Sequence, residues 1–110
     1  MMVYLITFTK WPSYKTSEVV KIAHQVFKKL PPDESLGEDL VPGNAIKVTN
    51  EGAKTISITN VSEGKLKEAY LRAEAIANSY AMVVAGFEYN IEVWSNDNEA
   101  YGSIGKKPPE

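Results

Sequence analysis

Three side chains in this sequence have the chemistry of an acid–base site: Glu88, Glu92 and His24. A carboxylate taken out of water has a raised pKa and can serve as a general base near neutral pH. Glu88 and Glu92 are four residues apart, so on a strand they share a face, with Cα atoms about 13 Å apart. That spacing rules out a close carboxylate dyad within one chain. His24 is the only histidine. On a helical wheel it falls at the margin of an apolar stripe, from which it could reach a pocket mouth near Trp11 and move a proton. A boundary histidine without chemistry is the commoner case.

One histidine and no cysteine exclude a multi-histidine metal site within the chain, zinc–thiolate sites, cysteine nucleophiles and disulfides. The acidic run Asp33 to Asp39 lacks the spacing of a calcium loop. Gly102-Ser103-Ile104-Gly105-Lys106 and Ser62-Glu63-Gly64-Lys65 lack the glycine cradle and spacing of a phosphate loop. The expected cofactor is none.

A second group of residues has the chemistry of a binding site. Tyr4, Trp11 and Trp94 could wall a hydrophobic ligand pocket, with Tyr14 and Tyr101 near by, and such aromatics serve equally at a subunit interface. Thr7, Thr9, Lys47, Thr55, Ser57, Thr59 and Asn90 join Glu88 and Glu92 as polar positions on strands. The expectation puts these polar positions on the open face of a sheet. There they line an enclosed cavity once two sheets meet, or else form a plain solvated or rim face, which is the commoner use of an alternating strand.

These residues must be positioned by six elements. Residues 2–9 mix β-branched, aromatic and aliphatic types, as strands do, with Tyr4, Ile6 and Phe8 on one side and Val3, Leu5, Thr7 and Thr9 on the other. A helix is expected from Ser17 to Leu30, capped by Thr16 or Ser17, with Val19, Ala23, Val26, Phe27 and Leu30 as its apolar stripe and Pro31-Pro32 as its stop. A second strand is expected over Leu40 to Thr49. Pro42-Gly43 interrupts it, which suits an edge. Asn50-Glu51-Gly52 reads as a tight hairpin with Gly52 at positive φ. The third strand, Lys54 to Val61, is expected to face Ile56 and Ile58 inward and Thr55, Ser57 and Thr59 outward. A long helix from Glu63 to Ala85 follows, capped by Ser62 and ended by Gly86. The fourth strand, Phe87 to Trp94, alternates Phe87, Tyr89, Ile91 and Val93 against Glu88, Asn90, Glu92 and Trp94.

This order predicts an α+β domain of the ferredoxin-like type, βαββαβ, over residues 1–95, with a tail over 96–110 that starts as one helical turn near 95–101. Right-handed crossovers then give a four-stranded antiparallel sheet of order 4-1-3-2 with both helices on one face. The order places the second strand at an edge, where Pro42 independently wants it.

The chain has 110 residues, 24% of them charged, and a net charge of −2. The balance and the lack of a basic, aromatic sheet face argue against nucleic-acid binding. No run approaches the ~20 apolar residues of a membrane helix, and residues 1–10 lack the pattern of a secretory leader. The expected address is the cytoplasm and the expected partners include neither nucleic acid nor membrane.

The element order and length over residues 2–95 resemble the dimeric α/β-barrel proteins. Trp11-Pro12 after the first strand, Gly52 in the hairpin, and a long second helix followed by a glutamate-bearing strand resemble a family of small proteins within that set. The resemblance implies a homodimer whose sheets meet through their open faces. The first strand supports the dimer independently, because it is apolar on both sides through Val3 and Leu5 and through Tyr4 and Ile6, and the second side needs a cover, either a second copy or the tail folded back over it. Leu71, Ala75 and Met82 on the outer side of the second helix could make a further contact and a higher oligomer. Two functions are expected from this reading. One is a barrel that binds a small, partly apolar molecule between the sheets; the other is an interaction or regulatory module whose dimer is the working unit.

Overall fold

The computed structural model describes residues 3–41, 44–95, 104–107 and 109. Among these, two helices and an antiparallel sheet of five strands form an α+β structure. β1 (Val3–Trp11) is central. It pairs with β4 (Gly52–Val61) on one side and β5 (Glu88–Ser95) on the other, antiparallel to both. The outer edge of β4 carries two short strands, β2 (Gly37–Asp39) opposite Thr59–Val61 and β3 (Ala45–Thr49) opposite Gly52–Ile56.

The strand expected over 40–49 is therefore divided. Its ladder begins earlier, at Gly37, continues through the Leu40 N–H to the Ile58 carbonyl at 2.9 Å, and resumes at Ala45. Pro42 and Gly43, the residues expected to mark the edge, lie outside the described residues, as does most of the turn expected near 95–101. The β3–β4 hairpin closes on Thr49 and Gly52. Gly52 has φ +140°, and a Cβ there would run into the backbone carbonyl of Trp11, so glycine is required on both conformational and steric grounds.

The first helix, α1 (Thr16–Lys29), follows a 3₁₀ turn at Ser13–Lys15. Glu18 in its first turn and Lys28 and Lys29 in its last suit the helix dipole. The expected cap by Thr16 or Ser17 takes another form. Thr16 is already helical, and its hydroxyl donates to the Ser13 carbonyl at 2.8 Å while accepting from the Trp11 indole N–H at 3.1 Å. The second helix, α2 (Leu66–Ala81), is shorter at both ends than the expected 63–85 and no side-chain hydrogen bond caps it. Gly86, at φ +83°, lies against the Pro12 ring and turns the chain into β5.

The helices cover the opposite side of β1 and β4 from the one expected. Trp11 and Ala53 pack with Val19, Ile22, Val26, Val84 and Phe87, and Leu5 and Val61 pack with Ala69. By alternation, Thr7, Thr9, Thr55, Ser57 and Thr59 face the helices, while Tyr4, Ile6, Phe8, Ile56 and Ile58 form the face turned away from them, where Ile6 is buried and the other four are part-buried. The reason is that a period of two tells which residues share a side but not which side receives the helices. That choice follows the handedness of the crossovers, and a strand with two apolar sides leaves it open. In β5 the expected division is found, with Tyr89 and Ile91 toward the helices.

Candidate functional site

The row of hydroxyls along the middle of β1 and β4 divides the core. One apolar cluster sits at the Trp11–Ala53 end and another at the Leu5–Val61 end. Between them Thr7, Thr9, Thr55, Ser57 and Thr59 offer polar atoms that hydrocarbon cannot satisfy, so the helices close on the two ends and not on the centre. The result is a cleft of about 1310 Å³ between the helix layer and the sheet.

The cleft floor is the hydroxyl row and its roof is apolar. From α1 come Val20, Ala23 and Phe27, with Leu30 just beyond its end, and from α2 come Ala73 and Ile76. Phe27, expected in a buried stripe, is 64% exposed and overhangs the cleft. Ile22, absent from the expected stripe, takes the buried position instead.

One end wall is aromatic. Trp11 stacks on Phe87 with ring centroids 6.0 Å apart, and Phe87 stacks on Tyr80 at 5.1 Å. Burial pushes the Tyr80 phenol above its ordinary pKa, so it stays neutral at physiological pH.

At the other end lies an acidic rim of Asp33, Glu34, Glu38 and Asp39, all exposed. Hydrogen bonds from the Ser35 hydroxyl, at 2.6 Å, and the Ser35 N–H, at 3.1 Å, hold the Asp33 carboxyl below the usual range, helped by the nearby Arg72. Arg72 also lines the cleft, but its Nη2 donates to the Leu30 carbonyl at 2.8 Å and the Pro31 carbonyl at 2.7 Å. It thereby ties the end of α1 to the middle of α2. Hydrogen bonds from a charged donor contribute about 1.5–3 kcal/mol each in favourable cases. Arg72→Met keeps the stem and removes the donors, and it is expected to lower unfolding free energy by about 2 kcal/mol. Urea titration reads the loss, and amide exchange should show the last turn of α1 opening first.

Within the floor, the hydroxyls of Thr9 and Thr55 hydrogen-bond to each other, and Thr59 donates to Asp39 at 3.0 Å. The Thr7 and Ser57 hydroxyls, directly opposite each other at the centre, have no hydrogen-bond partner among the described residues.

The residues singled out from sequence divide between two faces. Thr7, Ser57 and Trp11 line the cleft. Tyr4, Lys47, Glu88, Asn90, Glu92 and Trp94 belong to the face turned away from the helices. There Glu88 pairs with Lys10 at 2.9 Å. Glu92 accepts from the Asn90 amide at 2.7 Å and from the Trp94 indole at 2.8 Å, so both carboxylate oxygens are engaged along the strand. His24 is exposed on α1 and does not line the cleft. The cleft residues that sequence reasoning missed are the roof of α1 and α2, Tyr80, Arg72 and the acidic rim. Among the described residues no cluster of three or more metal-ligating side chains occurs, and no helix is long and apolar enough to cross a membrane.

The chemistry of this arrangement is that of recognition. Hydroxyls, which donate and accept, face a hydrocarbon roof across a space of molecular size. No protein-family model, curated protein or solved structure matches this chain.

Proposed function

We propose that this chain binds a small, partly apolar molecule in the cleft between its helix layer and its sheet. The observation that carries the reading is the cleft itself, about 1310 Å³ with a hydroxyl floor and an apolar roof. Pockets for small molecules combine mostly apolar walls with a few placed polar groups. The site expected between two sheets is thus moved to the helix side of one sheet.

The test uses Nile red, a neutral dye whose emission rises and shifts to the blue in apolar surroundings. The chain should bind it with a saturable signal, and Ala23→Trp, which fills the cleft from α1, should abolish that signal. Equal binding by the Ala23→Trp variant would place the dye elsewhere and end the reading.

A second reading rests on a different observation. The face turned away from the helices carries Tyr4, Ile6, Phe8, Ile56 and Ile58 on adjacent strands. Ile6 is already 5% exposed within the single chain and belongs to neither helix-packed cluster, so a second copy would cover chiefly the part-buried Tyr4, Phe8, Ile56 and Ile58. With β2 and β3 counted as one interrupted edge strand, the domain reads as ferredoxin-like with order 4-1-3-2. On that reading a second copy covers the apolar face, as in the dimeric α/β barrels that the sequence resembles. The dimer is compatible with the cleft, which lies on the other side of the sheet.

A further inference from the structure

The centre of the cleft floor carries more information than its volume. Thr7 and Ser57 are cross-strand partners on the two longest strands, both part-buried, and both hydroxyls lack a partner among the described residues. Their neighbours on either side are committed, Thr9 with Thr55 and Thr59 with Asp39. Directly opposed residues in an antiparallel pair hold their Cβ atoms about 5 Å apart. Two free hydroxyls at that spacing, each able to donate and accept, can engage two neighbouring oxygens of one molecule.

The surrounding charges narrow the choice. Among the described residues Arg72 is the one cation in the cleft lining, and its Nη2 donates to the Leu30 and Pro31 carbonyls. Asp33, Glu34, Glu38 and Asp39 stand at the rim, with Asp33 held ionised by Ser35. A negatively charged ligand would meet four carboxylates against the single positive charge of Arg72 in the lining, and like-charge juxtaposition is an effective means of exclusion. The aromatic end wall of Trp11, Phe87 and Tyr80 and the overhanging Phe27 favour a ring system for the apolar part.

From these observations we infer that the cleft selects an uncharged cyclic hydrocarbon framework bearing two adjacent oxygen functions on one edge, docked on Thr7 and Ser57, and rejects carboxylates. This rests on the cleft-binding reading above and gives it a ligand class.

Three probes of one shape test it: naphthalene-2,3-diol, naphthalene and 2-naphthoate, titrated by amide NMR shifts of the full chain. The diol should bind tightest, naphthalene more weakly, and 2-naphthoate not at all. Thr7→Val and Ser57→Ala remove the hydroxyls with little change of shape, and each should weaken the diol about fivefold, the equivalent of one neutral hydrogen bond, without weakening naphthalene. Thermal melting of both variants verifies that the sheet is intact. Equal affinity for the diol and naphthalene, or no effect of either variant on the diol, would overturn the ligand class and leave cleft binding standing. Binding of 2-naphthoate as tight as the diol would overturn the exclusion of anions. Binding of none of the three, with no Nile red signal, would overturn both this inference and the cleft reading.

Discussion

Trp11→Ala is expected to lower the unfolding free energy by about 3–5 kcal/mol, the range for truncating a large buried aromatic. Trp11 is 7% exposed at the end of β1 and joins three elements. Its ring stacks on Phe87, which leads into β5, and it belongs to the cluster containing Val19, Ile22 and Val26 of α1. Its indole N–H donates to Thr16 at the start of α1. Domains of ordinary stability hold about 5–15 kcal/mol in total, so one substitution removes a large fraction. Trp11→Phe separates the contributions. It keeps a ring against Phe87 and loses the hydrogen bond, and it should cost about 1–2 kcal/mol. Urea unfolding followed by circular dichroism measures both variants. A loss below about 1 kcal/mol for Trp11→Ala would mean that this cluster does not hold the helices to the sheet.

The same residue shows what the sequence could reveal. Its place after the first strand and beside Pro12 marked it as important, yet either a pocket wall or an interface would have satisfied that reading. The distinction needs Phe87 and Ala53, which are 76 and 42 residues further along the chain and reach Trp11 only through the fold. Local pattern did better where a single segment decides. The alternation of β5, the stripe through Val19 and Val26, and the positive φ of Gly52 each follow from a few adjacent residues.

The face of β1 was the hard case. Tyr4, Ile6, Phe8, Ile56 and Ile58 are together more apolar than Thr7, Thr9, Thr55, Ser57 and Thr59, and a rule of apolar residues inward points the helices at the wrong side. The helices instead close on Leu5, Trp11, Ala53 and Val61 at the two ends of the less apolar side. Thr7 and Ser57 were therefore legible as polar strand residues of interest but not as the floor of a cleft. A cleft exists only because the helices bridge the two ends, and that is a property of how the helix layer meets the sheet rather than of any one segment.

The inverted face has a consequence for assembly that can be measured. Ile58→Lys is expected to raise the dissociation constant of the proposed homodimer by about a thousandfold or more. Ile58 lies opposite Ile6 at the middle of the face turned away from the helices and is part-buried within one chain. In an assembly with two-fold symmetry the change occurs twice in the same contact, so two ammonium groups would be desolvated near each other. An unpaired buried charge costs several kcal/mol, and each ~1.4 kcal/mol is a factor of ten in affinity. Within the isolated chain the lysine can extend into water, so folding should survive with a modest loss. Glu92, which shares the Ile6 row on the other side, has both oxygens engaged by Asn90 and Trp94 and is poorly placed to neutralise the new charge. Light scattering should give twice the 12.2 kDa chain mass for the native sequence and the single mass for the variant. A native chain that remains at the single mass up to millimolar concentration removes the second-copy reading, and a variant that stays dimeric moves the contact away from this face. The Nile red signal of the cleft should be the same in monomer and dimer, because cleft and contact lie on opposite sides of one sheet.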